Sequence, residues 1–228
     1  MDLRAELKKI IADAAPKDIW RSIYDESDAL LAEGHGDPCE GRPEDLCLVD
    51  FKGLSVLDVG CNFGFHSFLA RRLGAREVVG VDVDAKAVRA CDIQRALNRV
   101  EGVRFVLGDF TSADLGGPFD VGLLINFFGK EMILGGIRRF LEALDRQSRS
   151  RMIVSAKWYY KISRHFGGDR ETLLRHYPER YLDGDRFLIQ DYVRDFFRSG
   201  WDVRLISPEY ADEGVRRTFL FTRKRPGP

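Results

Sequence analysis

The chain has no apolar run near the roughly eighteen residues that a membrane-spanning helix requires, so such a helix is excluded. It has no excess of either charge, because 36 Lys and Arg balance 36 Asp and Glu. A global pull towards nucleic acid or an anionic membrane is therefore absent, although a local basic patch stays open. Cysteine is scarce. Cys39, Cys47, Cys61 and Cys91 fall at irregular spacings, with no CxxC pair and no clustered histidines. That pattern argues against a zinc site and against a disulfide framework, so no metal is expected. Reduced thiols in a cytosolic protein fit better. The opening "MDLRAELKKIIADAAP" is charged and amphipathic and lacks the apolar centre of a signal peptide, so a cytoplasmic location is expected. Internal repeats and low-complexity linkers are also missing.

What is present is an alternation. At 228 residues, one full core in a single decorated domain is the default. "LSVLDVG" (Leu54 to Gly60) reads as a short buried strand, and "FHSFLARRLGA" as a helix ended by Gly74. "EVVGVDV" is a second strand and "AKAVRACDIQRALN" a helix. "VRFVLGDF" and "PFDVGLLINFF" follow as third and fourth strands, "KEMILGGIRRFLEALD" as one helix despite its paired glycines, and "RMIVSAKW" as a fifth strand. The rhythm then breaks from Tyr159 to Arg186, which is polar, aromatic and irregular. It resumes with the helix "QDYVRDFFRSG" and two β-rich segments, "WDVRLISPEY" and "RRTFLFTRK", able to pair antiparallel. The expectation is an α/β fold with a doubly wound, Rossmann-like, seven-stranded sheet, mostly parallel with an antiparallel terminal hairpin. Residues 1–50 are expected to form an N-terminal helical extension followed by a loop, and 51–228 the main domain with an insert at 159–186.

Chemistry gathers at the strand ends. In a doubly wound sheet a ligand sits beyond the carboxyl ends of the strands, where strand order reverses. The first strand ends in "DVGCNFG", where Gly60 and Gly64 let the backbone turn tightly and approach a ligand. Asp82 ends the second strand, where a carboxylate can accept both hydroxyls of a ribose. Asp109 ends the third, placed to meet an adenine amino group, with Phe110 to cover the ring. Each feature alone is commonly a turn or a helix N-cap. In the right order at successive strand ends they point together to a nucleotide-like cofactor. The dinucleotide fingerprint needs glycine where Asn62 and Phe65 stand, and no GK[ST] is present for a triphosphate. Asp58 before the turn would repel a phosphate and suits a ligand carrying positive charge.

This stretch resembles motif I of the class I S-adenosylmethionine-dependent methyltransferases, broadly hydrophobic-LD-x-G-x-G-x-G. "VVGVDVD", "VRFVLGDF" and "FDVGLLINFF" resemble the family's second, third and fourth strand motifs, and the terminal helix and hairpin its antiparallel seventh strand. More narrowly, "LDVGCNFGFHSFLARRLGAREVVGVD" resembles the branch that includes the tRNA wobble-uridine carboxymethyltransferase, which carries GCN-x-G-aromatic. The resemblance implies S-adenosyl-L-methionine as cofactor. It implies that Asp58, Gly60, Cys61, Asn62 and Gly64 line the methionine moiety and that Asp82 holds the ribose, with Val83 beside the adenine. Asp109 and Phe110 would flank the adenine, and Asn126 and Phe127 would face the sulfonium and the incoming substrate.

Catalytic residues are less determined. Proximity and orientation supply much of the gain in methyl transfer. A hydroxyl acceptor also needs a general base. His66, Lys130, Glu131, Lys157, Tyr159, Tyr160, His165 and His176 stand near the expected mouth, with His66, Tyr159 and His165 foremost. For His66 the favoured reading is that it faces solvent or caps its own helix rather than reaching the site. The insert's four tyrosines and its arginines suit a planar or anionic substrate, and equally a solvated surface loop; its place after the fifth strand's carboxyl end makes Tyr159 to Arg186 the expected part of the acceptor site, more mobile than the sheet. Trp20 and Tyr24, four apart, suit a helical cap over the cofactor, and equally a helix docked on the sheet. The leading reading is methylation of a small or medium-sized molecule. Its rivals are an RNA (tRNA) modifier, not favoured by the zero net charge, and a non-catalytic protein keeping the cofactor fold.

Overall fold

The computed structural model describes residues 2–15, 18–24, 30–35, 43–207 and 216–225. Cys39 therefore lies outside the described residues, as do parts of the loop expected before residue 50.

The chain opens with helix α1 (Leu3–Asp13), started by Asp2, whose carboxylate accepts the Arg4 N–H at 3.0 Å. Where Trp20 and Tyr24 suggested a helix, the structure has a short strand, β1 (Ile23–Tyr24), paired antiparallel with β2 (Leu30–Ala32). The two aromatics therefore do not share a helical face. A short helix, α2 (Pro43–Cys47), leads into the alternation.

That alternation runs β3 (Ser55–Val59), α3 (Phe65–Arg72), β4 (Glu77–Asp82), α4 (Ala85–Leu97), β5 (Val103–Leu107) and β6 (Phe119–Leu124). It continues with α5 (Lys130–Leu134), α6 (Arg138–Gln147) and β7 (Ser148–Lys157). The single helix expected over Lys130 to Asp145 is thus two. The break falls at Gly135 and Gly136, where Gly136 has φ 83° and a side chain would meet the His176 ring. A positive φ and a close neighbour together end the helix there.

The segment expected to be irregular is organised. It comprises β8 (Tyr160–Lys161), α7 (Ile162–Phe166), α8 (Arg170–His176), β9 (Leu182–Asp183) and β10 (Arg186–Phe187), with a three-stranded sheet in the order β8-β10-β9. The chain closes with α9 (Ile189–Phe197), β11 (Trp201–Leu205) and β12 (Arg216–Arg223).

The seven-stranded sheet has the order β11-β12-β7-β6-β3-β4-β5. Its neighbours are parallel except around β12, which pairs antiparallel with both β7 and β11. The doubly wound sheet and its antiparallel terminal hairpin are as the sequence implied. Alternate residues of each inner strand serve opposite faces. Leu57 and Val79 join the core under α6 and α9, while Val56 and Val78 join the core under α2 and α3. Both faces are covered, which is why these strands read as unbroken apolar runs. A third, smaller core joins Leu7, Ile19 and Ile23 to Phe63, Ala90 and Ile93, docking the amino-terminal segment on α4. Strand order reverses between β3 and β6, which fixes where a ligand cleft belongs.

Candidate functional site

A cavity of about 960 Å³ opens at that reversal. Its walls come from the carboxyl ends of β3, β4, β5 and β6, and its cover from the amino-terminal segment 18–23.

The turn after β3 is held by backbone and carboxylate together. The N–H groups of Gly60 and Cys61 both donate to the Val81 carbonyl, at 2.9 and 3.1 Å. The Asn62 N–H donates to Asp82 Oδ2 at 2.8 Å, and the Asp84 N–H to Asp82 Oδ1 at 3.0 Å. Asp82 thus clips the glycine turn to the end of β4 while lining the cleft, and each oxygen keeps a lone pair for a further donor. Gly60 (φ 68°) and Gly64 (φ 84°) cannot be other residues without strain. A Cβ on Gly60 would stand 2.8 Å from the Phe127 ring, and one on Gly64 2.8 Å from Phe68. Asn62 also takes a positive φ, 49°, and its Nδ2 reaches out to donate to the Asp18 carbonyl at 2.8 Å. That bond ties the cover to the turn.

Gly60, Cys61, Asn62, His66, Asp82, Val83, Asp109, Phe110, Asn126 and Phe127 all line the cleft. Val83 is a large apolar side chain left 74% exposed there, which a ligand with a flat apolar face would cover. Asp109 accepts the Thr111 N–H and hydroxyl on one oxygen, Oδ1, at 2.9 and 2.8 Å. Phe110 stacks on Phe140 at 5.9 Å and meets Phe127 edge-on at 5.7 Å, giving the far wall an aromatic surface.

Asn126 is the most constrained of these. It sits at φ 56°, its N–H donates to Ser155 Oγ at 2.8 Å, and Ser155 Oγ lies 3.2 Å from Asn126 Oδ1. Because Oγ already accepts the backbone N–H, its own proton goes to Oδ1. Asn126 Nδ2 is then left buried with no partner.

Other expected residues stand elsewhere. Asp58 and Gly64 lie behind the lining. Asp58 is buried and accepts the Ser67 hydroxyl at 2.6 Å, pinning α3 to β3. Burial pushes its carboxyl up to about 6, against the Ser67 bond that lowers it and the Asp82 charge that adds to the rise. His66, in the first turn of α3, is buried and meets the Phe65 ring edge-on at 5.1 Å, so it does not face solvent.

Tyr159 and His165 do not line the cleft, nor does any other residue of the insert. The insert's four tyrosines are core residues instead. Tyr160 donates to the Phe128 carbonyl at 2.9 Å, Tyr177 to the Ile133 carbonyl at 2.7 Å and Tyr181 to Asp195 at 2.9 Å. Tyr159 is buried under Arg186. His165 is half-buried, with Nδ1 3.0 Å from the Lys161 carbonyl.

Trp20, Arg21, Met132 and Arg139 line the cleft without having been singled out there by any local motif, save Trp20 as an aromatic of the extension. Cys91 was also silent in the sequence, yet its thiol donates to the Asn62 carbonyl at 3.1 Å and packs under the turn. Cys61, Cys91 and the exposed Cys47 are free thiols. Both buried thiols are pushed up, Cys61 first by its bond with Cys91 and Cys91 first by burial. Among the described residues no helix is long and apolar enough to cross a membrane, and no group of three or more metal-ligating side chains is assembled.

Residues 50–156 match the family described as "Methyltransferase domain". A ribosomal protein L11 methyltransferase of Bacteroides thetaiotaomicron is 26% identical over 138 residues, which are 59% of this chain and 49% of that protein. The chain thus spans about half the length of that curated relative. Among solved structures, the fold is similar to the N-terminal domain of EvdMO1 with SAH bound, at TM-score 0.65 and 16% identity over 99% of this chain and 98% of that one. It is also similar to the magnesium protoporphyrin IX methyltransferase (ChlM) of Synechocystis PCC 6803 with bound SAH, at TM-score 0.53 and 18% identity, covering 77% and 76%. The family match falls on the very strands and turn that build the cleft. Over residues 50–156 the chain is thus similar to a methyltransferase domain, and the solved structures share its fold.

Proposed function

We propose that the chain transfers a methyl group from S-adenosylmethionine to a small or medium-sized acceptor held under the cover. The cofactor supplies an electrophilic methyl on a sulfonium centre. Asp82 would accept the ribose hydroxyls, with Val83 against one face of the adenine and Asp109 and Phe110 at its edge. Gly60, Cys61 and Asn62 would pass along the methionine moiety, and Asn126 and Phe127 would face the reacting end. Asp58 and Gly64 would act from behind, by holding the turn in shape. His66 is the best-placed base for a hydroxyl acceptor, because it lines the cleft while Tyr159 and His165 do not.

The single observation that carries this reading is the clip of Asp82 on the glycine turn, which leaves a carboxylate at the floor of a roofed cavity. The cavity's cover favours an acceptor that fits inside it. The finer likeness to the tRNA wobble-uridine branch makes RNA the second reading, supported by the single segment from Leu57 to Asp82.

Calorimetric titration with SAH tests the proposal. Micromolar-range binding is expected, with a rise in melting temperature. Asp82→Ala should weaken it about 10- to 100-fold, the loss of a charge-assisted hydrogen bond. A folded protein with no response to saturating SAH would sink the reading. Methyl transfer to bulk tRNA, with none to small molecules, would replace the first acceptor class by the second.

A further inference from the structure

Buried polar side-chain atoms are nearly always paired, and an exception asks for an explanation. Trp20 Nε1 in the cover and Asn126 Nδ2 at the end of β6 are such exceptions, and both belong to residues of one cavity. Both are donors. An indole N–H can only donate, and the Ser155 bond fixes the Asn126 amide so that its NH₂ is the open end. Arg21, beside Trp20, lines the same cavity and adds a positive charge, its guanidinium 5.8 Å from the centre of the Phe65 ring.

The acids of the cleft lie apart from this group. Asp82, Asp84 and Asp109 stand at the ends of β4 and β5, and each accepts backbone N–H groups. Asp18, the fourth acid, is exposed at the start of the cover. Carboxylates thus line the cleft at the ends of β4 and β5, and donors line it at the cover and the end of β6, with Arg71, Arg72 and Arg139 as further lining cations.

We infer that the donors at the cover and β6 receive an oxyanion, a carboxylate or phosphate borne by the methyl acceptor, with Trp20 and Arg21 holding it from the cover and Asn126 donating from the opposite wall. Arginine matches either group with two parallel N–H donors. The inference rests on the methyltransferase reading and names its acceptor class. The methyl donor carries a carboxylate of its own. Trp20 and Arg21 lie outside residues 50–156, the part shared with the methyltransferase family, which assigns these two donors to the acceptor, whereas Asn126 lies within that part.

The test uses the full chain labelled with ¹⁵N, whose three tryptophans give three indole N–H signals, with Trp20 identified by W20F. Inorganic phosphate and benzoate are titrated at constant ionic strength into the SAH-saturated protein. The Trp20 signal is expected to move with one of the two, which also tells carboxylate from phosphate. R21Q and N126D are each expected to raise that anion's apparent Kd about tenfold or more, by loss of a charged donor and by reversal of a donor to a charge. If SAH alone moves the Trp20 signal and no anion moves it further, the donors serve the cofactor and the inference is wrong. It is equally wrong if neither SAH nor any anion moves the signal. Should SAH fail to bind at all, the methyltransferase reading falls separately, and the same anions titrated into the free chain still decide whether the donor pocket exists.

Discussion

The cover, 18–23, and the insert, Tyr159–Arg186, both stand outside the strand–helix alternation, and both carry aromatics and arginine. Their side chains end in opposite places. The insert finds a large apolar surface on α5 and α9 and sinks its tyrosines into it, satisfying their hydroxyls on Phe128, Ile133 and Asp195. The cover docks through Ile19 and Ile23 on Phe63 and Ile93, a small core, and leaves Trp20 and Arg21 on the cleft. Composition alone ranks the insert as the binding element. The partner surface each segment meets reverses that order.

The largest effect expected from breaking this comparison is on stability. Phe187 is fully buried, 4.4 Å ring to ring from Tyr177, and belongs to the main core. Phe187→Ala should cost about 3–5 kcal/mol, through lost burial and the cavity left behind. Thermal melts check the loss. At temperatures where the variant is still folded, its SAH affinity should stay within about twofold of the parent. A collapse of SAH binding in the folded variant would show that the insert serves the cleft after all.

Asp58 probes the same division from beneath the turn. Its carboxyl has an ordinary value of 3.8 and stands at about 6 in the folded chain, chiefly through burial. Between those values the folded state binds more protons than the unfolded one, so this group's contribution to stability falls as pH rises. The loss is complete above about pH 6 and amounts to something on the order of 3 kcal/mol. Asp58→Asn removes the titration and leaves an oxygen for the Ser67 hydroxyl. Its melting temperature relative to the parent should climb from pH 4 to pH 7 and then level. Parallel curves across that range would mean that Asp58 does not titrate there.

Much of the fold and of the cleft floor was legible, because its signals are local. Gly60 and Gly64 announce positive φ, Asp82 announces a strand end, and β3 to β7 announce themselves by apolar runs. The paired glycines at 135 and 136 were legible too, but a helical pattern on both sides outweighed them. The cover was legible only as one of two readings of Trp20 and Tyr24, because what gives Trp20 and Arg21 their place is a bond between residues 44 apart, Asn62 to Asp18. Nor was the turning of Asp58 away from the cleft, which depends on Ser67 of the next helix. No residue pattern says which side of a wall a tyrosine will take.

The tether between Asn62 and the cover gives a smaller and more local effect. Asn62→Ala loses the bond to the Asp18 carbonyl and puts alanine, which tolerates the left-handed region less well than asparagine, at φ 49°, costing about 1–2 kcal/mol. Asn62→Gly keeps the backbone comfortable and removes the tether alone. Hydrogen exchange of the 18–23 amides should quicken about tenfold in both variants, while exchange in the insert stays as it was. Unchanged exchange in the cover would show that its docking on Phe63 and Ile93 suffices without Asn62.

The smallest expected effect is the sharpest test of the insert. His165 is half-buried, on α7, and its ring meets Tyr160 edge-on at 5.2 Å outside the cleft. His165→Ala removes its ring contacts with Tyr160 and Phe166, so stability should fall by about 0.5–1 kcal/mol. SAH affinity and the rate of methyl transfer should be unaltered, because no atom of the residue reaches the cavity. His66→Ala is its counterpart inside the cleft, and transfer to a hydroxyl acceptor should fall about 100-fold or more if a base is lost. Measured side by side over pH, the two histidines separate the readings. A fall in transfer for His165, with none for His66, would return the insert to the reaction and leave the cover as packing only.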